Sequence, residues 1–183
     1  MECRIVNISA SFNCGFPINL TEISEKVEST SYNKEKFNGL IMRVKSPKFT
    51  ATLFPSGAII LTGCKSTEKT EEAAHKTVSI LNNIGYDADV YSFKIQNIVG
   101  AGMFNKPINL QQVYEFLRNN IEEFGMKPSL EPEFFPALIC KFKDSSFSCS
   151  LFCNGKFHVT GCKTEGDMFY IERNIIHLMH SIK

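Results

Sequence analysis

At 183 residues, 43% of them hydrophobic and 21% charged, the chain is long and apolar enough to bury a real core, which excludes a disordered or low-complexity segment. No apolar run is long enough to span a bilayer, and MECRIVNISASF lacks the apolar stretch and small-residue cleavage site of a secretory leader, so no membrane partner is expected. A net charge of +1 means that any nucleic-acid reading must rest on where the charges sit, not on their sum.

In chain order, the first expected element is a strand over about residues 4–12, carrying Asn7 and Ser9. PINL follows, then a helix opened by Asn19 with Glu22 three residues on. This is capping-box spacing with Asn in place of Ser or Thr. Three strands come next, joined by tight turns at KSPK and PSG. The last of them ends in TGCK at 62–65, and a long helix over about 66–84 is closed by Gly85. A new strand is expected over about 93–102, with Asn97 and Val99. The order then recurs: PINL, a helix opened by Asn109 with Gln112, strands joined at KDSS and CNG, TGCK at 160–163, and a helix over about 165–182.

The recurrence is a duplication. Residues 31–65 and 129–163 align without a gap at an offset of 98 and share Phe37/Phe135, Leu53/Leu151, Phe54/Phe152, Gly57/Gly155 and all of TGCK. Upstream the offset is 90, so the second copy has gained about eight residues between 111 and 128. Two copies are too few for a solenoid. They predict two half-domains, 1–92 and 93–183, joined intimately and related by a pseudo-two-fold axis.

Strand parity sorts the side chains. Phe49, Ala51 and Leu53 oppose Thr50, Thr52 and Phe54; Phe147, Cys149 and Leu151 oppose Ser148, Ser150 and Phe152. In the preceding strand Leu40, Met42 and Val44 oppose Phe37, Ile41 and Arg43, and in the copy Phe135, Ile139 and Lys141 take the second parity. Ile60 with Thr62, and His158 with Thr160, continue that second face. Helices are expected to cover the first face. The other then carries four phenylalanines, two asparagines and paired hydroxyls, with cations at its margins. Apolar wedges with amide donors and flanking cations suit the minor groove of a bent duplex, and a floor lacking strong acceptors leaves the guanine amino group unsatisfied, which favours A·T over G·C.

On FNGLIMRV, LFPSG and LTGCKS in the first half, KIQNIVG at the junction, and EPEFFPALI, LFCNGK and VTGCK in the second, the chain resembles the core domain of the TATA-box-binding protein family over nearly its whole length. The resemblance implies an α+β saddle of ten antiparallel strands, with four helices on its convex face and DNA on its concave one. It implies intercalation by Phe37, Phe54, Phe135 and Phe152, and groove contact by Asn7, Asn97, Thr62, Thr160, Ser9, Val99, Thr52, Ser150, Ile60 and His158. Phosphate contacts fall to Arg43, Lys65, Lys141, Lys156 and Lys163, and docking of a IIB-like factor to Glu131 and Glu133. The glycine of TGCK is expected to permit the turn into the long helix.

The implied function is a transcription initiation factor. It binds and kinks TATA-type promoter DNA in the nucleus (or in a viral factory in the cytoplasm, for a viral chain). IIA-like and polymerase-associated factors are further implied partners. Thr52, Ser150, Ser9 and His158 replace aliphatic residues usual in the family, so the groove face is more polar than its relatives'. That polarity motivates an alternative: a regulatory interaction module with weak or altered DNA binding, able to form a homodimer without DNA. No cofactor, metal site or catalytic residue is expected. Seven cysteines without a CxxC pair read as reduced core thiols, and no Ser/His/Asp set, phosphate loop or carboxylate pair stands out.

Overall fold

Alternation of apolar and polar residues builds every long strand, and the computed structural model, which describes residues 3–182, shows where each parity points. The chain divides into two compact units. Asn7–Gln96 form one; the described residues before Asn7 join Asn97 and those after it in the other.

The first half runs β1 (Arg4–Asn13), α1 (Leu20–Lys26), β2 (Thr30–Ser31), β3 (Leu40–Lys45), β4 (Lys48–Leu53), β5 (Ala58–Cys64) and α2 (Thr67–Asn82). Its strands lie in the order β2-β3-β4-β5-β1, antiparallel throughout. Leu40, Met42, Phe49, Ala51, Leu53, Ile59 and Leu61 point to one face and are almost wholly buried. They form one cluster with Ala73, Ala74, Val78 and Leu81 of α2 and with Leu20 and Ile23 of α1. Burying each leucine or isoleucine contributes about 1.5–3 kcal/mol.

The second half runs β6 (Tyr91–Met103), α3 (Leu110–Asn119), α4 (Ile121–Phe124), β7 (Met126–Leu130), β8 (Ala137–Phe142), β9 (Ser148–Phe152), β10 (Lys156–Cys162) and α5 (Glu165–Ser181). Its order, β7-β8-β9-β10-β6, is the same as that of the first half. Met168, Ile171, Ile175 and Leu178 of α5 are buried at helical spacing, as expected.

The resemblance implies four helices, and the described residues contain five. The additional residues between 111 and 128 lengthen α3 relative to α1 and add the single turn α4, which ends on Gly125 in the left-handed conformation. Phe124 holds that turn down: it is buried, 5.6 Å from the Phe116 ring and 5.3 Å from His177.

The helix starts follow the Asn signals, with one change of partner. Asn19 Oδ1 accepts from the Thr21 and Glu22 amides, and Asn109 Oδ1 from the Gln112 amide. Glu22 does not reach back to the Asn19 amide. The Tyr86 hydroxyl stands between them, accepting from the Asn19 amide at 3.2 Å and donating to Glu22 at 3.1 Å. The reciprocal box forms at α5 instead. Asp167 accepts from the Thr164 and Lys163 amides, and its own amide donates to the Thr164 hydroxyl.

The TGCK glycine does not make the turn into the helix. Gly63 and Gly161 lie inside β5 and β10, at positive φ, each at a bulge against the neighbouring strand. The extra residue reverses parity. Thr62 stays half-buried on the uncovered face while Cys64 is buried under the helices, and Thr160 and Cys162 repeat this. A Cβ on Gly161 would stand 1.9 Å from the Ser146 carbonyl oxygen; on Gly63 it would meet nothing nearer than 3.7 Å.

Both glycines therefore resist substitution, but unequally. Gly63→Ala is expected to cost the left-handed penalty alone, about 1–2 kcal/mol, and Gly161→Ala distinctly more, as read from urea unfolding midpoints. Burial raises the Asp167 carboxyl, but the Lys163 and Thr164 amides and the Thr164 hydroxyl outweigh it and hold the group below its ordinary 3.8. A lowered folded value stabilises above the unfolded one, and that contribution is lost as pH falls through the folded value. Asp167→Asn is expected to lower stability at neutral pH, with the deficit shrinking below about pH 4; denaturation curves from pH 7 to 2 measure it.

Candidate nucleic-acid interface

The uncovered parity of each half forms two cross-strand rows. In the first half, Arg43, Thr50, Thr62 and Ser9 pair in register across β3, β4, β5 and β1, and Ile41, Thr52, Ile60 and Ser11 form the row beside them. In the second, Lys141, Ser148 and Thr160 make the first row, and Ile139, Ser150, His158 and Ala101 the second. Each row begins at a cation or an isoleucine and crosses short hydroxyls. Val99 is half-buried on β6, the last strand in its half's order.

A phenylalanine pair stands at the end of each floor. Phe54 follows β4 and Phe152 ends β9. Parity places Phe37 and Phe135 on the strands before them, but they precede β3 and β8, in turns. The Phe37 amide donates to the Asn33 carbonyl and the Phe135 amide to the Glu131 carbonyl. Both pairs meet edge to face at 6.0 Å between centroids. The outer rings are 46% and 42% exposed although a neighbouring ring is within reach, so apolar surface faces solvent at the same place in both copies. His158 adds a third ring in the second half, 5.4 Å from Phe152.

The asparagines are oriented by the bulges. Asn7 Oδ1 accepts from the Gly63 amide at 2.8 Å, and Asn97 Oδ1 from the Gly161 amide at 2.8 Å. With the oxygen committed to backbone, the amide nitrogen turns the other way. Asn7 Nδ2 makes no hydrogen bond among the described residues. Asn97 Nδ2 lies 3.2 Å from the Thr160 hydroxyl. A flipped amide would set two donors face to face, so the bulge fixes which end is presented.

Lys65, Lys156 and Lys163 are exposed beside these elements, as are Arg43 and Lys141. Glu131 and Glu133 are exposed in the turn that carries Phe135. Two features escape the sequence pattern. Ser11 belongs to the floor and accepts from Gln96 Nε2 at 2.7 Å; extending the β1 parity by one step would include it. Phe134 is 85% exposed, the most exposed large apolar side chain among the described residues. Its signal is the doubled phenylalanine of EPEFFP where the first copy has Lys36 and Phe37.

Comparison with known proteins points to one family and one fold. The family model described as transcription factor TFIID (or TATA-binding protein, TBP) matches residues 2–84 and again 92–182. The TATA-box-binding protein of Methanobrevibacter smithii is 36% identical over 170 residues, 91% of this chain and 88% of that protein. TATA box-binding protein-like 2 of Mus musculus is 32% identical over 98% of this chain, which spans only 50% of the mouse protein. The solved structure of Methanococcus jannaschii TBP superposes over 100% of both chains with a TM-score of 0.80 and 31% identity.

Burial pushes Cys140 up to about 12, and burial with the nearby Asp167 carboxylate pushes Cys162 to about 11. Thiols held so high stay protonated and make poor nucleophiles at neutral pH. Cys153 alone of the seven is exposed. The native protein is expected to release about one equivalent of chromophore from Ellman's reagent at pH 8, and all seven only in denaturant; two or more fast-reacting native thiols would contradict the burial.

Proposed function

Because the chain belongs to the TATA-binding protein family of non-enzymatic, DNA-binding transcription factors, we propose that it binds the minor groove of A·T-rich promoter DNA, kinks the duplex with two pairs of phenylalanines, and recruits a IIB-like factor and RNA polymerase. The observation that carries this reading is the duplicated pair of phenylalanines in edge contact, each with its outer ring exposed beside a floor of hydroxyl and aliphatic side chains.

Phe37 with Phe54, and Phe135 with Phe152, enter base steps as wedges. Unstacking costs a few kcal/mol per step and is offset by the wider contact that a bent duplex allows. The amide nitrogens of Asn7 and Asn97 donate to the N3 and O2 acceptors of A·T pairs, flanked by Thr62 and Thr160. Arg43, Lys65, Lys141, Lys156 and Lys163 neutralise phosphates. Glu131 and Glu133, with Phe134 beside them, form the acidic and apolar patch offered to the IIB-like factor. Other surfaces remain for IIA-like and polymerase-associated factors. In a eukaryotic host the work is done in the nucleus.

A second reading has an observation of its own. Phe37, Ile60 and Phe135 leave apolar surface open on the DNA-binding face. Without DNA, a second copy covering that surface gives a homodimer that competes with promoter binding, and sedimentation with and without duplex separates the two states.

Fluorescence transfer between the ends of a TATA duplex tests the main reading. Wild type is expected to bring the ends together, and Phe37→Ala with Phe54→Ala to abolish the bend while leaving the fold intact by circular dichroism. If all five cations engage phosphate, log affinity falls with log salt at a slope of about −4.5, and Lys65→Ala reduces that by about 0.9. Failure of the wild type to bend any A·T-rich duplex would sink the proposal.

A further inference from the structure

The two floors are near copies, and the point where they part company is chemical. Arg43/Lys141, Thr50/Ser148, Thr62/Thr160, Ile41/Ile139 and Thr52/Ser150 keep their class across the repeat. Ile60 becomes His158, and its strand neighbour Ser11 becomes Ala101. Ile60 is 41% exposed beside Thr52. His158 is exposed beside Ser150, and its ring lies 5.4 Å from Phe152 at 66°. Its ring nitrogens make no hydrogen bond among the described residues.

A minor groove offers only acceptors at A·T pairs, whereas a G·C pair adds the guanine amino donor. Pressed against Ile60, that donor loses its water and meets no acceptor on the side chain it faces, which is costly. A neutral imidazole carries one donor and one acceptor nitrogen and can satisfy either kind of pair by choice of tautomer. Resting on the groove-binding reading above, we propose that His158 makes the DNA site asymmetric: the base step beside Phe152 accepts a G·C pair, and the step beside Phe54 rejects it. A single G·C pair at one end of an A·T-rich site then sets the direction in which the factor sits, because the half that carries His158 takes that end.

The test uses three duplexes, one wholly A·T, one with G·C at a single kink-adjacent step and one with G·C at both. Bending is read by fluorescence transfer. Orientation is read by cleavage from an iron chelate attached to Cys153, the one exposed thiol and the neighbour of Phe152. Wild type is expected to bind the single-substituted duplex within about twofold of the wholly A·T one, cutting at the G·C end, and to lose about tenfold on the double-substituted duplex. His158→Ile is expected to lose about tenfold on the single-substituted duplex as well, and to cut at both ends. Ile60→His is expected to recover the double-substituted duplex. Both residues are exposed, so neither variant depends on the core. Equal cutting at both ends of the single-substituted duplex by wild type, or unchanged behaviour in His158→Ile, overturns this inference while the bend on the A·T duplex stands. Absence of that bend overturns the groove-binding reading and this inference with it.

Discussion

A strand shows its side chains to two faces in strict alternation, and in each half helices cover only one of them. Everything at the candidate interface depends on that constraint. The covered parity spends its apolar residues on the core, from Leu40 to Leu61 in one half and from Leu138 to Val159 in the other. The opposite parity is left to solvent across several strands. A surface of that kind normally carries charged groups. Here, apart from Arg43, Lys141 and His158, it carries hydroxyls, isoleucines and phenylalanines, which suits a partner whose own surface is grooved and partly apolar.

The bulges at Gly63 and Gly161 are where alternation is broken. One extra residue changes the phase of the strand, so Thr62 and Thr160 stay with the floor while Cys64 and Cys162 turn under the helices. The same residue leaves an amide unpaired in the ladder, and Asn7 or Asn97 takes it up. A single backbone irregularity thus performs two tasks: it turns a cysteine into the core and fixes the orientation of an asparagine. Because Asp167 then binds the Lys163 amide, the second bulge is also coupled to the start of α5.

Much of this architecture is legible in the sequence. The repeat supplies the register, and parity with that register assigns nearly every floor residue to the correct face. Periodicity places the long helices to within a few residues, since Met168, Ile171, Ile175 and Leu178 recur at helical spacing. Other features are hidden for physical reasons. A bulge leaves no mark in composition, and Gly63 resembles a turn glycine because it stands close before a helix. The turns that present Phe37 and Phe135 resemble strand, because their parity happens to continue that of β3 and β8. The Tyr86 hydroxyl between Asn19 and Glu22 joins residues more than sixty positions apart, beyond any local pattern.

By itself, the sequence determined the duplication, the two faces of each strand and the set of side chains available on each. These follow from local periodicity and self-similarity, which one chain carries in full. Tertiary structure alone decided the phase shift at the two bulges, the commitment of each asparagine oxygen to backbone and the exposure of one phenylalanine ring in each pair. It also set His158 against Phe152 while Ile60 lies beside Thr52. Those outcomes depend on which strand lies beside which and on which donors the ladder leaves unpaired, and both are properties of the assembled sheet.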